Sequence, residues 1–357
     1  MKKPTIITGL DIGSSKIAAV SGQIDKDGAF NIIAHATGPS NGVSRGLIVD
    51  FNEAVDSASR ILTRIRDKIT SKAPGDIYVN ISGPHIKGVI SKGMIPLSLR
   101  GREVTKMDMD RCINAASTIH LAFDREIVHK IVHNFSIDDQ SWIKNPLGLY
   151  ASRLNCEVYL ITADSHQIQN IYKCINDAGY DVKEIVFTGM ADGASLLSED
   201  DKNEGVLLLD IGASITEASI FFAGSICDFG IISIGAMDIK GDFKDSVELN
   251  NLISIINSKV DKFLKTGGRV ASIVLSGGLS FADGIIEFLE GKLSHPVKMG
   301  ITKDVKGDIS SLDIVRLSTA IGLSKYGCEK GERKTVEEKD LLKRISTKVV
   351  DIFNSYF

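Results

Sequence analysis

Two hydrophobic periodicities alternate along the chain. Apolar runs of strand length occupy residues 5–36, Ile77–Ser82, Val182–Phe187, 206–222 and Ser272–Leu275, and stretches with apolar positions three and four apart lie between them. Phe51–Ile69 places Ala54, Ala58, Ile61, Leu62, Ile65 and Ile69 at helical spacing; Ser165–Ala178 does the same with Ile168, Ile171, Tyr172 and Ile175, and a further helix is predicted over Val247–Leu264. Strands alternating with helices predict an α/β protein. Residues 84–161 break the rhythm, with a strand-rich start containing Gly88 and Gly93, an amphipathic helix near Met107–Ile119, and strands near Ile127–Ile137 and Leu154–Thr162. This stretch is read as a small inserted subdomain, and the small-residue segment Gly189–Leu197 as a helix joining two lobes.

Within this pattern one tetrapeptide recurs. Leu10-Asp11-Ile12-Gly13 and Leu209-Asp210-Ile211-Gly212 each end an apolar run and precede small hydroxyl residues. Both predict a strand, a tight turn and a returning strand, so that two hairpins face one another across a cleft. A glycine after a strand, followed by small residues, leaves backbone N–H groups open to an anion, and nearby hydroxyls add donors. An aspartate at the strand end suits hydrated magnesium, which favours carboxylate and phosphate oxygens. One such turn is an ordinary hairpin; two at domain-scale separation point to a phosphate site. Gly277-Gly278, directly after the Ser272–Leu275 strand, permits close backbone approach to a planar or anionic ligand.

Composition narrows the function classes. The chain has 357 residues, 43% hydrophobic and 24% charged, enough for two lobes of roughly 150 residues each. A net charge of −3, with no basic patch interleaved with aromatic residues, argues against nucleic acid as a partner. Five scattered cysteines, Cys112, Cys156, Cys174, Cys227 and Cys328, lack metal-like spacing and are expected as reduced thiols in a cytosolic protein. No stretch approaches the roughly 20 apolar residues of a spanning helix. His129 and His133 fall in a predicted strand, where positions four apart are about 13 Å distant, so a metal pair is not expected. Trp142 is expected to pack rather than to bind a ligand.

The C-terminal region changes character twice. Residues 327–340 are almost entirely polar and read as a solvated linker. In residues 341–357, Leu342, Ile345, Val349, Ile352, Phe353 and Tyr356 share one helical stripe, with Lys343, Arg344 and Lys348 flanking or opposite it. That pattern fits an amphipathic helix lying in an anionic membrane surface; a helix docked on its own core is the alternative.

The chain resembles the FtsA family, actin-like bacterial division proteins that attach the FtsZ ring to the membrane. The resemblance rests on Gly9-Leu-Asp-Ile-Gly-Ser-Ser-Lys16, Ile143-Lys-Asn-Pro-Leu-Gly-Leu149, Arg153 through Thr162, Phe187-Thr-Gly-Met-Ala191, Val274-Leu-Ser-Gly-Gly278 and Leu317-Ser-Thr-Ala-Ile-Gly-Leu323. It implies an actin-like (ribonuclease H-like) two-lobed ATPase fold with an inserted α+β subdomain of the SHS2-like 1C type. The implied division is 1–83, 162–188 and 306–326 as lobe 1, 84–161 as the insertion, and 189–305 as lobe 2, ahead of linker and tail. The resemblance further implies ATP and magnesium as ligands. Gly13, Ser14, Ser15 and Lys16 would form one phosphate loop and Gly212, Ala213, Ser214 and Thr216 the other. Gly277, Gly278 and Leu279 would face the adenosine, and Asp11 and Asp210 would orient magnesium through water, with no covalent catalyst. Implied partners are FtsZ, further copies of the chain, later division proteins through residues 84–161, and an anionic membrane; the implied location is the cytoplasmic face of the inner membrane at the division septum.

Departures from the family pattern qualify this. Three glycines are usual where Gly212-Ala213-Ser214 stands, and an aspartate where Glu217 stands. The segment between the second hairpin and Val274 is short, so most of the family's subdomain 2B, which holds nucleotide and receives FtsZ, is expected to be missing. Weak nucleotide binding and negligible hydrolysis follow. A pilus-assembly scaffold like the PilM family, or an actin-fold small-molecule kinase, are the competing readings.

Overall fold

The computed structural model describes residues 6–70, 73–119, 121–138 and 140–331. The tail positions Leu342, Lys343, Arg344, Ile345, Lys348, Val349, Ile352, Phe353 and Tyr356 lie outside the described residues.

The repeated tetrapeptide marks a repeated lobe. In the first lobe, Ile7–Ile12, Lys16–Ile24 and Phe30–Pro39 form an antiparallel meander, and Asp76–Ile81 and then Val182–Phe187 add in parallel beside Ile7–Ile12. In the second, Val206–Ile211, Thr216–Phe222 and Ser225–Ile232 form the meander, and Ser272–Gly277 and Val297–Met299 add in parallel beside Val206–Ile211. Each parallel addition follows a helix, as a crossover demands. Phe51–Lys68 and Val247–Lys265 are the equivalent helices, capped by Asp50, which accepts from Glu53 N, and Ser246, which accepts from Leu249 N. The short strand Val305–Lys306 returns to pair with Phe30–Pro39.

The insertion interrupts the first lobe between Asp76–Ile81 and the helix Ser165–Asp177. Its sheet has the order Gln140–Ile143, Arg125–Ile137, Arg153–Asp164, Lys87–Pro96, with the helix Lys106–Ser117 packed on one face. Gly93 permits that packing, since a Cβ there would stand 2.4 Å from the Cys112 carbonyl oxygen.

Both histidines of the long insertion strand bind the insertion to the lobes. Buried His129 accepts a hydrogen bond from Phe187 N at Nε2, 2.9 Å, and His133 Nε2 donates to the Ile226 carbonyl at 2.9 Å. Phe187 and Phe229, from different lobes, meet at 4.6 Å, and Tyr159 of the insertion meets Phe229 at 6.2 Å. One hydrophobic core therefore runs through both lobes and the insertion.

Two expectations change. Trp142 does not pack: it is 79% exposed with φ of 64°, because it sits on the short edge strand Gln140–Ile143, where the register with its neighbour is irregular. Residues 327–331, expected as the start of the linker, are helical within 318–331. Their polar composition conceals tertiary contacts: a Cβ on Gly327 would come within 2.6 Å of the Tyr78 ring, Cys328 is buried, and Lys330 pairs with Glu184 at 2.6 Å.

Burial, with the Lys330 charge adding to it, pushes the His129 pKa down from 6.5 to about 3, so the folded state holds the ring neutral. The unfolded chain takes up a proton in that window, so stability falls as the pH drops from about 6.5 toward 3. His129→Gln, which keeps an acceptor and does not titrate, lacks this component. Urea unfolding of both proteins at pH 7.5 and 5.5 should show the wild type losing ground to the variant at the lower pH; an unchanged difference would refute the linkage.

Candidate nucleotide cleft

The two hairpin turns close in the same way. Gly13 N donates to Lys16 O and Gly212 N to Ile215 O, each at 3.0 Å. Between the lobes lies a cleft of about 590 Å³, lined by Asp11, Gly13, Ser14, Ser15 and Lys16 from one turn and Asp210, Gly212, Ala213 and Ser214 from the other, with Gly277 and Gly278 beside them. Gly277 has φ of 85°, and a Cβ there would lie 2.3 Å from Ile211 O and 2.6 Å from Asp210 Oδ1, so only glycine fits both the conformation and the approach.

Thr216 and Leu279 are placed elsewhere. Strand side chains alternate, and with Glu217 facing the cleft, Thr216 faces away from it. Its buried hydroxyl donates to Ile234 O at 2.7 Å. Leu279 turns into the second lobe's core, and Phe281, at the end of the same short 3-10 turn Gly278–Phe281, lines the cleft.

Each aspartate is held by the parallel strand next to it. Asn80 Nδ2 donates to Asp11 Oδ1 at 2.9 Å, and Ser276 Oγ donates to Asp210 Oδ1 at 3.0 Å. Asn80 Oδ1 also accepts from Ile12 N at 2.7 Å, which ties the strand end to its neighbour. A readable signal for both lay in the repeat: each is the polar residue near the end of an otherwise apolar strand, Ile77-Tyr-Val-Asn80 and Ile273-Val-Leu-Ser276.

Two further carboxylates share this junction. Glu217 accepts from Ser82 Oγ across the lobes, while its Oε2 and Asp192 Oδ1 are buried without a protein partner. Burial raises all four groups: Asp11 to about 6, with Lys16 opposing and Asp210 adding; Glu217 to about 8, with Ser82 opposing and Asp210 adding; Asp192 well above its ordinary value, with Asp210 adding; and Asp210 itself, with Ser276 and Lys16 opposing. Asp192 sits on the connecting helix Thr188–Leu196, and no motif announced it.

The turns also touch each other. Ser214 Oγ donates to Ser14 Oγ at 2.8 Å and accepts from Arg45 N at 3.1 Å. Ala236 N and Met237 N donate to Gly212 O and Ala213 O at 2.8 and 2.9 Å, binding the second turn from behind. Lys16 Nζ donates to the Arg316 carbonyl. Chemically, the cleft offers hydroxyl, ammonium and backbone N–H donors for an anion and buried carboxylates that a cation would relieve of protons. Among the described residues, no group of three or more His, Cys, Asp or Glu side chains gathers as a metal cage.

Comparison with known proteins agrees with this architecture. Residues 83–162 match the family model described as the SHS2 domain inserted in FTSA. The chain is 28% identical to the cell division protein FtsA of Pseudomonas aeruginosa, covering 91% of this chain and 90% of that one. It is 28% identical to FtsA of Borreliella burgdorferi over 96% and 94%, and 25% identical to FtsA of Escherichia coli K12 over 91% and 90%. Among solved structures, a chain of the PilM-PilN type IV pilus biogenesis complex superposes with a TM-score of 0.66 at 14% identity, covering 90% of this chain and 98% of that one. The ethanolamine utilization protein EutJ from Carboxydothermus hydrogenoformans gives 0.50 at 13% identity, covering 90% of each. At these identities the structural likenesses concern the fold, which is the actin-like two-lobed one with an SHS2 insertion.

Because the folded-state pKa of Glu217 lies near 8 and its ordinary value is 4.5, the group binds its proton more tightly when folded. Its contribution to stability is therefore lost as the pH rises from 4.5 through 8. Glu217→Gln should melt at a higher temperature than the wild type at pH 8.5, with the gain shrinking toward pH 5. Equal differences at the two pH values, read by circular dichroism, would contradict the buried-acid assignment.

Proposed function

We infer that this chain, a member of the FtsA family and so a protein of cell division, acts as an actin-like adaptor that fastens the FtsZ ring to the cytoplasmic face of the inner membrane at the septum. The observation that carries the reading is the joint one: similarity to FtsA proteins over nine-tenths of both chains, with the SHS2 match on the segment that interrupts the first lobe. The insertion would contact later division proteins or neighbouring copies of the chain. A similar fold in PilM bears on architecture and gives no weight to a pilus role.

Membrane attachment is proposed for the apolar stripe Leu342, Ile345, Val349, Ile352, Phe353 and Tyr356, with Lys343, Arg344 and Lys348 meeting anionic lipid. No described helix is long and apolar enough to cross a membrane. Each buried apolar side chain would contribute about 1–2 kcal/mol and each base up to ~1 kcal/mol, much of it offset by ordering the helix. One copy would bind reversibly, and oligomers far more tightly.

ATP with magnesium is the proposed ligand of the cleft. Ser14, Ser15, Lys16 and the Gly212–Ser214 turn would hold phosphate, and Asp11 and Asp210 would orient the metal through water; magnesium would supply charge neutralisation to the phosphates. Binding would be weak, because the Ser14–Ser214 contact and the Cβ atoms of Ala213 and Ser214 occupy the approach to the turns. Hydrolysis would be negligible. Subdomain 2B would be largely absent: only residues 233–246, with one short 3-10 turn at Phe243–Asp245, separate the strand Ser225–Ile232 from the helix Val247–Lys265. The Pseudomonas alignment spans 380 positions, whereas 91% of this chain is about 325 residues, so about 55 positions lack a counterpart here. FtsZ would then be received on another surface.

Two measurements test this. In co-sedimentation with anionic vesicles, the wild type should carry FtsZ into the pellet and the double variant Ile352→Glu, Phe353→Glu should not; vesicle binding without FtsZ would overturn the tether. In ATP titrations with magnesium, Ser214→Gly should raise affinity several-fold over the wild type, and no gain would remove the steric account of weak binding.

A further inference from the structure

The helix of the insertion meets its sheet through two thiols. Along the strand Arg153–Asp164, Leu154, Cys156, Val158 and Leu160 alternate onto the face that the helix Lys106–Ser117 covers, and Asp108, Cys112 and Ala116, four residues apart, are buried helix positions turned toward it. Cys156 stands directly opposite Gly93 in the sheet, and the helix packs over Gly93: a Cβ there would lie 2.4 Å from Cys112 O and 2.9 Å from Ala116 Cβ. The Cys112 side chain reaches into the space so left, with Sγ 3.6 Å from Gly93 O and 3.5 Å from Leu154 O.

The two sulfurs are hydrogen-bonded to one another. That bond, with burial adding to it, holds the Cys112 thiol above its ordinary pKa, and it draws Cys156 below its own against the effect of burial, so Cys112 is the donor and Cys156 the readier thiolate. Both are free thiols, buried from solvent. One buried cysteine is a small packing residue; two in contact are also reactants already brought together, which makes a bond between them an intramolecular step. The start of the helix is pinned, by the Thr105 cap and by Arg102, which donates to both Asp108 oxygens at 2.6 and 2.7 Å. Its last turn holds no basic residue to meet the helix dipole, so the end that frays is the one beyond Cys112.

We propose that Cys112 and Cys156 are a redox-active pair whose oxidation fastens the helix Lys106–Ser117 to the strand Arg153–Asp164. The oxidant is a small organic disulfide, which enters when the helix lifts from its C-terminal end. The Cys156 thiolate attacks one sulfur of the reagent, breaking its S–S bond and displacing one reagent thiolate, and a mixed disulfide stands on Cys156. Cys112 then loses its proton to solvent and attacks Cys156 Sγ, displacing the second reagent thiolate. Two protein thiols and one reagent disulfide become one protein disulfide and two reagent thiols, with two electrons passing to the reagent. The new bond joins residues 44 apart (156 minus 112) and restrains the helix from lifting. This inference rests on the insertion alone and stands apart from the nucleotide and tether readings.

The full chain would be equilibrated with mixtures of reduced and oxidised glutathione, quenched with acid, denatured in N-ethylmaleimide and mapped by mass spectrometry. The expected product is a cross-link between the peptides of Cys112 and Cys156, lighter by two hydrogens than their sum. Amides of residues 112–116 should exchange with deuterium at least about tenfold more slowly in the oxidised protein. Reduction should restore the original exchange, and Cys112→Ala, checked for folding by a thermal melt, should show neither cross-link nor slowing. N-ethylmaleimide on both Cys112 and Cys156 after exposure to oxidised glutathione alone would overturn the proposal. A cross-link from either of them to another cysteine, or unchanged exchange in the cross-linked chain, would do the same. The wild-type measurements decide the matter even where the variant fails to fold.

Discussion

Four carboxyl groups drawn from two lobes and the helix between them share one junction, where Asp11, Asp192 and Glu217 are buried and Asp210 is half-buried. Asp11 and Asp210 come from the repeated hairpins, Glu217 from the return strand and Asp192 from the connecting helix, and burial is the first cause of each raised pKa. Isolated charges in such a place are expensive, so protons, hydroxyl donors or a cation must compensate them. Asn80, Ser82 and Ser276 supply part of that compensation. The unpartnered Asp192 Oδ1 and Glu217 Oε2 mark what the protein leaves unmet.

The insertion is tied to both lobes. Its long strand bonds the first lobe through His129 and the second through His133, and Tyr159 and Phe229 bridge in the same region. The insertion thus contacts both lobes. Under the proposed role, a partner of the insertion would meet a body tied to both lobes by packed rings and two hydrogen bonds.

The second turn keeps its backbone closure while its side chains differ from those of the first. Ala213 and Ser214 keep the turn's backbone closure, with Gly212 N still bonded to Ile215 O, yet the Ser214 side chain fills space across the cleft and bonds Ser14. The turn is intact as structure, and its side chain is engaged by the opposite lobe.

Period and repetition alone determined the α/β class, the duplicated hairpins, the helices over Phe51–Lys68 and Val247–Lys265, and the interruption at residues 84–161, because strand and helix faces are local properties of apolar spacing. Asp11 and Asp210 were legible for the same reason. What lay between lobes was not. Asp192 carries no local signature, Leu279 and Phe281 differ only in which way a short turn points, and Trp142 and residues 327–331 ran opposite to their composition. Trp142 follows from the irregular register of its edge strand; in the others the outcome depends on a neighbour distant in the chain: Asp210 beside Asp192, Arg316 over Phe281, Tyr78 against Gly327. Sequence determined which elements form; the tertiary structure decided which side chains share the cleft, because desolvation and contact are set by what the folded chain brings close, and spacing along the chain does not encode that distance.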